Sequence, residues 1–184
     1  MTDLLQQYGN DLAILSMDQL SLYYQSTLTH VWALVGQTPV VKVTPQRDYV
    51  HVYGALDVRW GREVAVTAVE QTGWVTADFL RLLVMLFPHR HILLLLDRAP
   101  WHFGPEVDLV LQENHRLELM HFPPACPELN PQEHVWQHVR KAISHNHTYR
   151  SFKALVDDFD TFLNETPFDT NFMDKYAPAL LCEL

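Results

Sequence analysis

Apolar residues change their spacing along this chain, and the changes mark out its elements. Leu12 to Met17 is a short apolar run closing on Asp18, and Ser21 to Tyr24 continues with strand-forming residues. Val40 to Val43 and Tyr49 to Val58 are rich in β-branched and aromatic side chains, which suits strands. Val64 to Val69 follows across Arg59-Trp60-Gly61-Arg62, so the last two segments read as a hairpin. From Thr76 the period lengthens. Phe79, Leu82, Leu83 and Leu86 recur at helical spacing until Pro88. Ile92 to Leu96 is unbroken and apolar, the pattern of a strand covered on both faces, and it closes on Asp97. Gly104-Pro105-Glu106 opens a helix to about Asn114, and Leu117 to Phe122 is a strand stopped by Pro123-Pro124. A helix opens at Asn130-Pro131 and runs to about Ser144; another spans Ser151 to Leu163 with Phe152, Leu155, Val156, Phe159 and Phe162 on one face.

Strands first, then strands alternating with helices, predict an α/β fold. Its mixed sheet is antiparallel at the start and parallel later, with helices on its faces. With 184 residues, one domain is expected: a lead-in over 1–10, a main domain over 11–166 and a tail over 167–184. No apolar run is long enough to span a bilayer, and the first ten residues lack the pattern of a signal peptide. Cys126 and Cys182 form no CxxC pair, so a reducing cytoplasm is the expected compartment.

Three acids fall at ends of predicted elements. Asp18 and Asp97 close strands, and Glu133 lies in the first turn of the helix opened by Asn130-Pro131. If the two strands are neighbours, the carboxylates converge and repel, which divalent Mg²⁺ or Mn²⁺ relieves. Two such ions can activate water and stabilise a leaving oxygen in phosphoryl transfer. Each acid alone also has a plain structural use, since Asp caps turns and Glu suits a helix N-terminus.

The surrounding residues carry more information. LLLLDRAPWH from Leu93, and LELMHFPPACPELNPQEHVW from Leu117, resemble the catalytic domain of bacterial insertion-sequence transposases of the Tc/mariner superfamily, which bear an Asp–Asp–Glu triad. Asp97 and Glu133 are separated by 35 residues (133 − 97 − 1), close to that family's spacing. Met17-Asp18-Gln19 resembles the strand of the first aspartate, Trp32 to Pro39 the Trp-x-x-x-Gly-Gln-x-Pro segment after it, and Tyr53-Gly54-Ala55-Leu56 the next strand. The likeness runs from about Asp11 to Leu163.

The resemblance implies a ribonuclease-H-like fold and DNA transposition by a DDE endonuclease. Transposon-end DNA is cleaved and the 3′-hydroxyl joined to target DNA, with two Mg²⁺ or Mn²⁺ ions held by Asp18, Asp97 and Glu133. Glu128 lies in the same motif; Glu133 is preferred because it follows Asn-Pro-x and a helix fixes its direction. His102 matches the family histidine, as a contact to phosphate or metal, or equally as a support behind them or a surface residue. Trp136 is expected to anchor the catalytic helix and Trp32 to be core rather than a DNA stack. Arg140, Lys141, His145, His147 and Arg150 form the most basic stretch and are candidate DNA contacts or an ordinary solvated face.

Three features depart from the family. Gln19 stands where Glu is common. No room exists for the usual helix-turn-helix domains before the first strand, so a separate DNA-binding polypeptide or a missing N-terminal region is expected, with dimerisation on DNA. Thirteen basic against 22 acidic residues give a net charge of −9, which opposes an autonomous grip on DNA. Two other readings stay open: a nuclease of the same fold without strand transfer, and a catalytically silent derivative that binds DNA or protein. The resemblance places the chain in a bacterial cytoplasm, associated with the nucleoid.

Overall fold

The computed structural model describes residues 2–37, 40–41, 45–124 and 126–168. A short helix α1 (Thr2–Tyr8) leads into β1 (Leu12–Tyr23), followed by β2 (Tyr49–Asp57), β3 (Arg62–Ala68), α2 (Gly73–Leu86), β4 (His91–Leu96), α3 (Pro105–Glu113), β5 (Leu117–His121), α4 (Pro131–Val139) and α5 (Phe152–Glu165). The five strands form one sheet in the order β3-β2-β1-β4-β5. β1 pairs antiparallel with β2, as β2 does with β3, whereas β4 runs parallel to both β1 and β5. The mixed sheet is therefore the one the residue pattern predicts.

Alternation along the strands divides the core into two layers. Leu12, Ile14, Leu20 and Leu22 face one layer with Val135, Trp136, Leu155, Phe159 and Leu163 of α4 and α5. Ala13, Leu15 and Met17 face the other, with Phe79, Leu80 and Leu83 of α2 and Val107 and Val110 of α3. Burying each large side chain contributes roughly 1.5–3 kcal/mol. Phe168 is buried in the first layer, and its N–H donates to Gly61 O at 2.7 Å. Gly61 turns the β2–β3 hairpin with φ +61°, and an added Cβ there would lie 1.7 Å from Phe168 O.

Several expectations are corrected. Asp18 does not end a strand, because Leu12–Met17 and most of Ser21–Tyr24 belong to the single strand β1, which ends at Tyr23. Its pairing with β4 stops at Ser16–Leu95, but its pairing with β2 continues to Tyr23–Tyr49 and keeps the backbone extended. α2 begins at Gly73, ahead of Thr76, because Thr72 caps it by accepting from the Val75 N–H at 3.3 Å. Val40 and Val41 are not in a strand, and residues 42–43 of that call lie outside the described residues. Trp32 is fully exposed, as are Val35 and much of Leu34, so the segment after β1 stands off the core. Its attachments lie nearer β1, where Asn146 Nδ2–H donates to Thr29 O and Oγ1. Among the described residues no helix is long and apolar enough to cross a membrane.

Candidate active site

The strand register brings the first two acids together. β1 and β4 pair from Leu12–His91 to Ser16–Leu95, and that register carried two residues further sets Asp18 level with Asp97. Alternation puts Ser16 and Asp18 on the α4 side of β1 and Gln19 on the other. The third acid arrives with α4. The Asn130 side chain accepts from the Gln132 N–H at 3.1 Å, Pro131 occupies the first turn and Glu133 follows. Asp18, Asp97 and Glu133 line one cavity of about 410 Å³ with Arg98, Phe122, Pro123, Pro124, Cys126 and Asn130.

A buried polar network seats the helix that carries Glu133. Ser16 Oγ–H donates to Asn130 Oδ1 at 2.7 Å, tying β1 to the α4 cap. The Gln132 amide joins two more strands: its oxygen accepts from the Leu56 N–H at 3.1 Å, and its nitrogen donates to Glu63 Oε1 at 2.6 Å. Glu63 is buried on β3, and that burial pushes its carboxyl well above the usual range. Gly54 leaves room for this packing; a Cβ there would lie 2.4 Å from both Glu63 Oε1 and the Trp136 ring. Trp136, itself buried, donates Nε1–H to Asp18 Oδ2 at 3.1 Å. It thus anchors the helix, as the sequence led us to expect, and also holds the first aspartate.

The three acids differ electrically. Burial raises the Asp18 pKa to about 7; the charges of Glu133 and Asp97 push the same way, opposed by the Gln19 N–H and Trp136. Asp97 moves down, chiefly through its hydrogen bond with His102 and then through the Ala99 N–H. His102 Nδ1 lies 2.9 Å from Asp97 Oδ1 and the Ala99 nitrogen 3.0 Å from the same oxygen. Burial lowers the Arg140 pKa, while Glu133 and Asp18 raise it, so its guanidinium stands within their field.

The structure sorts the remaining candidates. His102 is buried behind Asp97, in the supporting place rather than facing the cavity. Arg140 is half-buried toward the acids, whereas Lys141, His147 and Arg150 are exposed on the surface and His145 is partly covered. Glu128 is exposed on the turn Pro127–Leu129 and does not line the cavity. Residues that the sequence reading passed over are Glu63, Gln132, Ser16, Trp101 and Arg98. Of these, Arg98, Trp101 and Gln132 had a local signal, their positions beside Asp97, His102 and Glu133, whereas Ser16 and Glu63 had none.

The donor set fits a hard divalent ion. The three carboxylates offer the oxygen donors such an ion takes, and their mutual repulsion is what an ion would relieve. Among the described residues, no three His, Cys, Asp or Glu side chains close into a ligand cage. Mg²⁺ is usually held by one or two carboxylates, waters and substrate phosphate oxygens.

Residues 13–156 match the DDE superfamily endonuclease family. The chain belongs to that family. It is 24% identical over 153 residues to an insertion element IS630 39 kDa protein of Shigella sonnei, covering 82% of this chain and 45% of that one. It is 38% identical over 66 residues to the uncharacterized protein y4pE/y4sA of Sinorhizobium fredii (strain NBRC 101917 / NGR234), covering 36% of this chain and 46% of the relative. The matches thus span about half the length of these curated relatives. Among solved structures, the Mos1 transposase paired-end complex with left transposon end gives a TM-score of 0.70 at 14% identity, over 97% of this chain and 55% of that chain. The catalytic domain of Mos1 mariner transposase gives 0.64 at 13% identity, over 99% and 83%. The fold of this DDE family member is therefore the ribonuclease-H-like fold of a transposase catalytic domain.

Proposed function

We propose that this DDE domain is the catalytic part of a metal-dependent DNA transposase that cleaves transposon-end DNA and joins the freed 3′-hydroxyl to target DNA. The observation that carries the reading is the meeting of Asp18, Asp97 and Glu133, from β1, the loop just after β4 and the start of α4, in one cavity. Asp18 and Asp97 would hold ions beside the scissile phosphate and Glu133 would complete one ion's shell. Two Mg²⁺ or Mn²⁺ ions, when bound, supply an activated water or hydroxyl and stabilise the leaving oxygen. The protein's own part is orientation. Trp136 fixes one oxygen of Asp18, His102 and the Ala99 N–H fix Asp97, and the Asn130 cap fixes the turn bearing Glu133.

DNA as substrate is supported by the DDE endonuclease family match and by the Mos1 complex, which contains a transposon end. Arg98, which lines the cavity, and Arg140, partly desolvated on the acids' side, are the basic residues placed to meet a phosphate. With a net charge of −9, the domain takes its hold on the DNA end from a helix-turn-helix region on another polypeptide or elsewhere in the protein, and works as a dimer on paired ends.

Isothermal titration of Mn²⁺ into the wild type and Asp97→Asn tests the site, and a labelled transposon end tests the reaction. We expect Mn²⁺ binding and cleavage that both require Asp97, with strand-transfer products from the wild type. Cleavage retained in Asp97→Asn overturns the assignment, and cleavage without joined products reduces it to a nuclease.

A further inference from the structure

Behind Asp97 lies a second chain of polar contacts that the proposed reaction does not by itself require. His102 Nδ1 faces Asp97 Oδ1 at 2.9 Å, and the opposite ring nitrogen faces the Gln19 amide. Gln19 Nε2 is 2.8 Å from His102 Nε2, and Gln19 Oε1 is 3.1 Å from it. Trp101 Nε1 lies 2.8 Å from Gln19 Oε1. His102 is 1% exposed, so its ring polarity is set by these neighbours rather than by water.

Donor and acceptor chemistry favours one assignment. An indole N–H only donates, so the Gln19 atom facing Trp101 must be the carbonyl oxygen, and the amide cannot be turned over. The amide nitrogen, which only donates, then lies 2.8 Å from His102 Nε2, nearer than Oε1 at 3.1 Å, and this favours a lone pair on that ring nitrogen over an N–H shared with the oxygen Trp101 already occupies. The proton belongs on Nδ1, where the ionised Asp97 can only accept. Asp97 Oδ1 takes this bond and that of the Ala99 N–H; among the described residues none is made to Oδ2. Two donors on one oxygen fix the carboxylate plane and leave the other oxygen for a cation.

We propose that Gln19 is a positioning residue which, oriented by Trp101, holds His102 as its Nδ1–H tautomer and thereby sets the Asp97 carboxylate for metal. The metal-facing half of this inference rests on the function proposed above; the tautomer does not. Gln19 points away from the α4 face on which Asp18 stands, so one β1 dipeptide serves the site twice. Asp18 reaches the cavity directly, and Gln19 reaches it through His102 and Asp97.

The test uses ¹⁵N-histidine-labelled whole protein without metal, with long-range ¹H–¹⁵N correlation at about pH 8, where an ordinary imidazole is neutral. We expect one His102 signal set with Nδ1 protonated and Nε2 bare. Gln19→Leu, and separately Trp101→Phe in case the first variant folds poorly, should give mixed tautomers. A protonated Nε2 in the wild type overturns the proposal, as does an unchanged Nδ1–H tautomer in the folded variants. Mn²⁺ titration is the second readout. Removal of a group that orients a ligand costs about tenfold or more in affinity, and that loss is expected in Gln19→Leu. Binding that needs Asp97 yet is equally tight in Gln19→Leu overturns the inference and leaves the proposed function standing. Binding that is independent of Asp97 overturns both.

Discussion

Asp18 is caught between burial and like charge, and the consequence is readable in pH. Its pKa of about 7 in the fold stands above the ordinary 3.8, with burial the largest cause. The folded protein thus holds a proton that the unfolded chain releases, and by linkage stability is lost as pH rises from about 4 through about 7. Asp18→Asn keeps an oxygen for the Trp136 N–H but has no proton to lose. In metal-free protein at about pH 8 it should be more stable than the wild type by about 2 kcal/mol, the full shift being discounted for the open cavity. That is roughly 4–8 °C in Tm, vanishing near pH 4, and thermal melts at both pH values measure it. An equal Tm at pH 8 would show that the carboxylate is not strained by its site. For the same reason Mn²⁺ affinity in the wild type should climb with pH to about 7 and then level off, because metal and proton compete for one carboxylate. Calorimetric titration across that range checks the slope.

At the scale of elements, the N-terminus of α4 decides the site, and two substitutions probe its seating. Asn130→Ala removes the cap and leaves the buried Ser16 hydroxyl without its partner, a loss of about 2 kcal/mol in urea unfolding. Because the two share one bond, Ser16→Ala added to it should cost less than the sum of the single changes. Gly54→Ala drives a methyl into Glu63, Trp136 and Gln132 at once, so it should destabilise by about 1–3 kcal/mol and depress cleavage further by displacing α4. Stability loss with full specific activity would show that α4 adjusts freely. The start of α4 was legible because Asn130-Pro131 writes a cap and a first turn in adjacent residues. β4 was legible because five apolar residues in a row need two covered faces. The course of β1 past Asp18 was not, since it depends on pairing with β2, whose partner for Tyr23 is Tyr49. Glu63 was invisible for a related reason: a buried acid is explained only by Gln132, 69 positions away. Trp32 misled in the other direction, since an apolar residue carries no local sign of which surface, if any, covers it.

Over the whole molecule, acidic charge and a phosphate-handling site pull in opposite directions. Thirteen basic side chains face 22 acidic ones, and the carboxylates of the cavity repel a DNA backbone until cations screen them. Near those carboxylates stand only Arg98 and Arg140 among the described basic residues noted above, while Lys141 and Arg150 lie on the outer surface. So small a set implies few phosphate contacts and a shallow salt dependence, since each contact adds about −0.9 to the slope of log K against log salt. The chain alone should therefore bind a duplex end no more tightly than about 10⁻⁶ M at physiological salt, without sequence preference and with a slope of roughly −2. Arg140→Ala should bring that slope about one unit nearer zero, whereas Arg150→Ala should leave it unchanged. Mn²⁺ should tighten binding in the wild type and not in Asp97→Asn, because the ion would join phosphate to the carboxylates that otherwise repel it. Fluorescence anisotropy across a salt series measures all three. Nanomolar, sequence-selective binding by this chain would mean that recognition is built into the catalytic fold, and that no separate DNA-binding region is needed to bring an end to Asp18, Asp97 and Glu133.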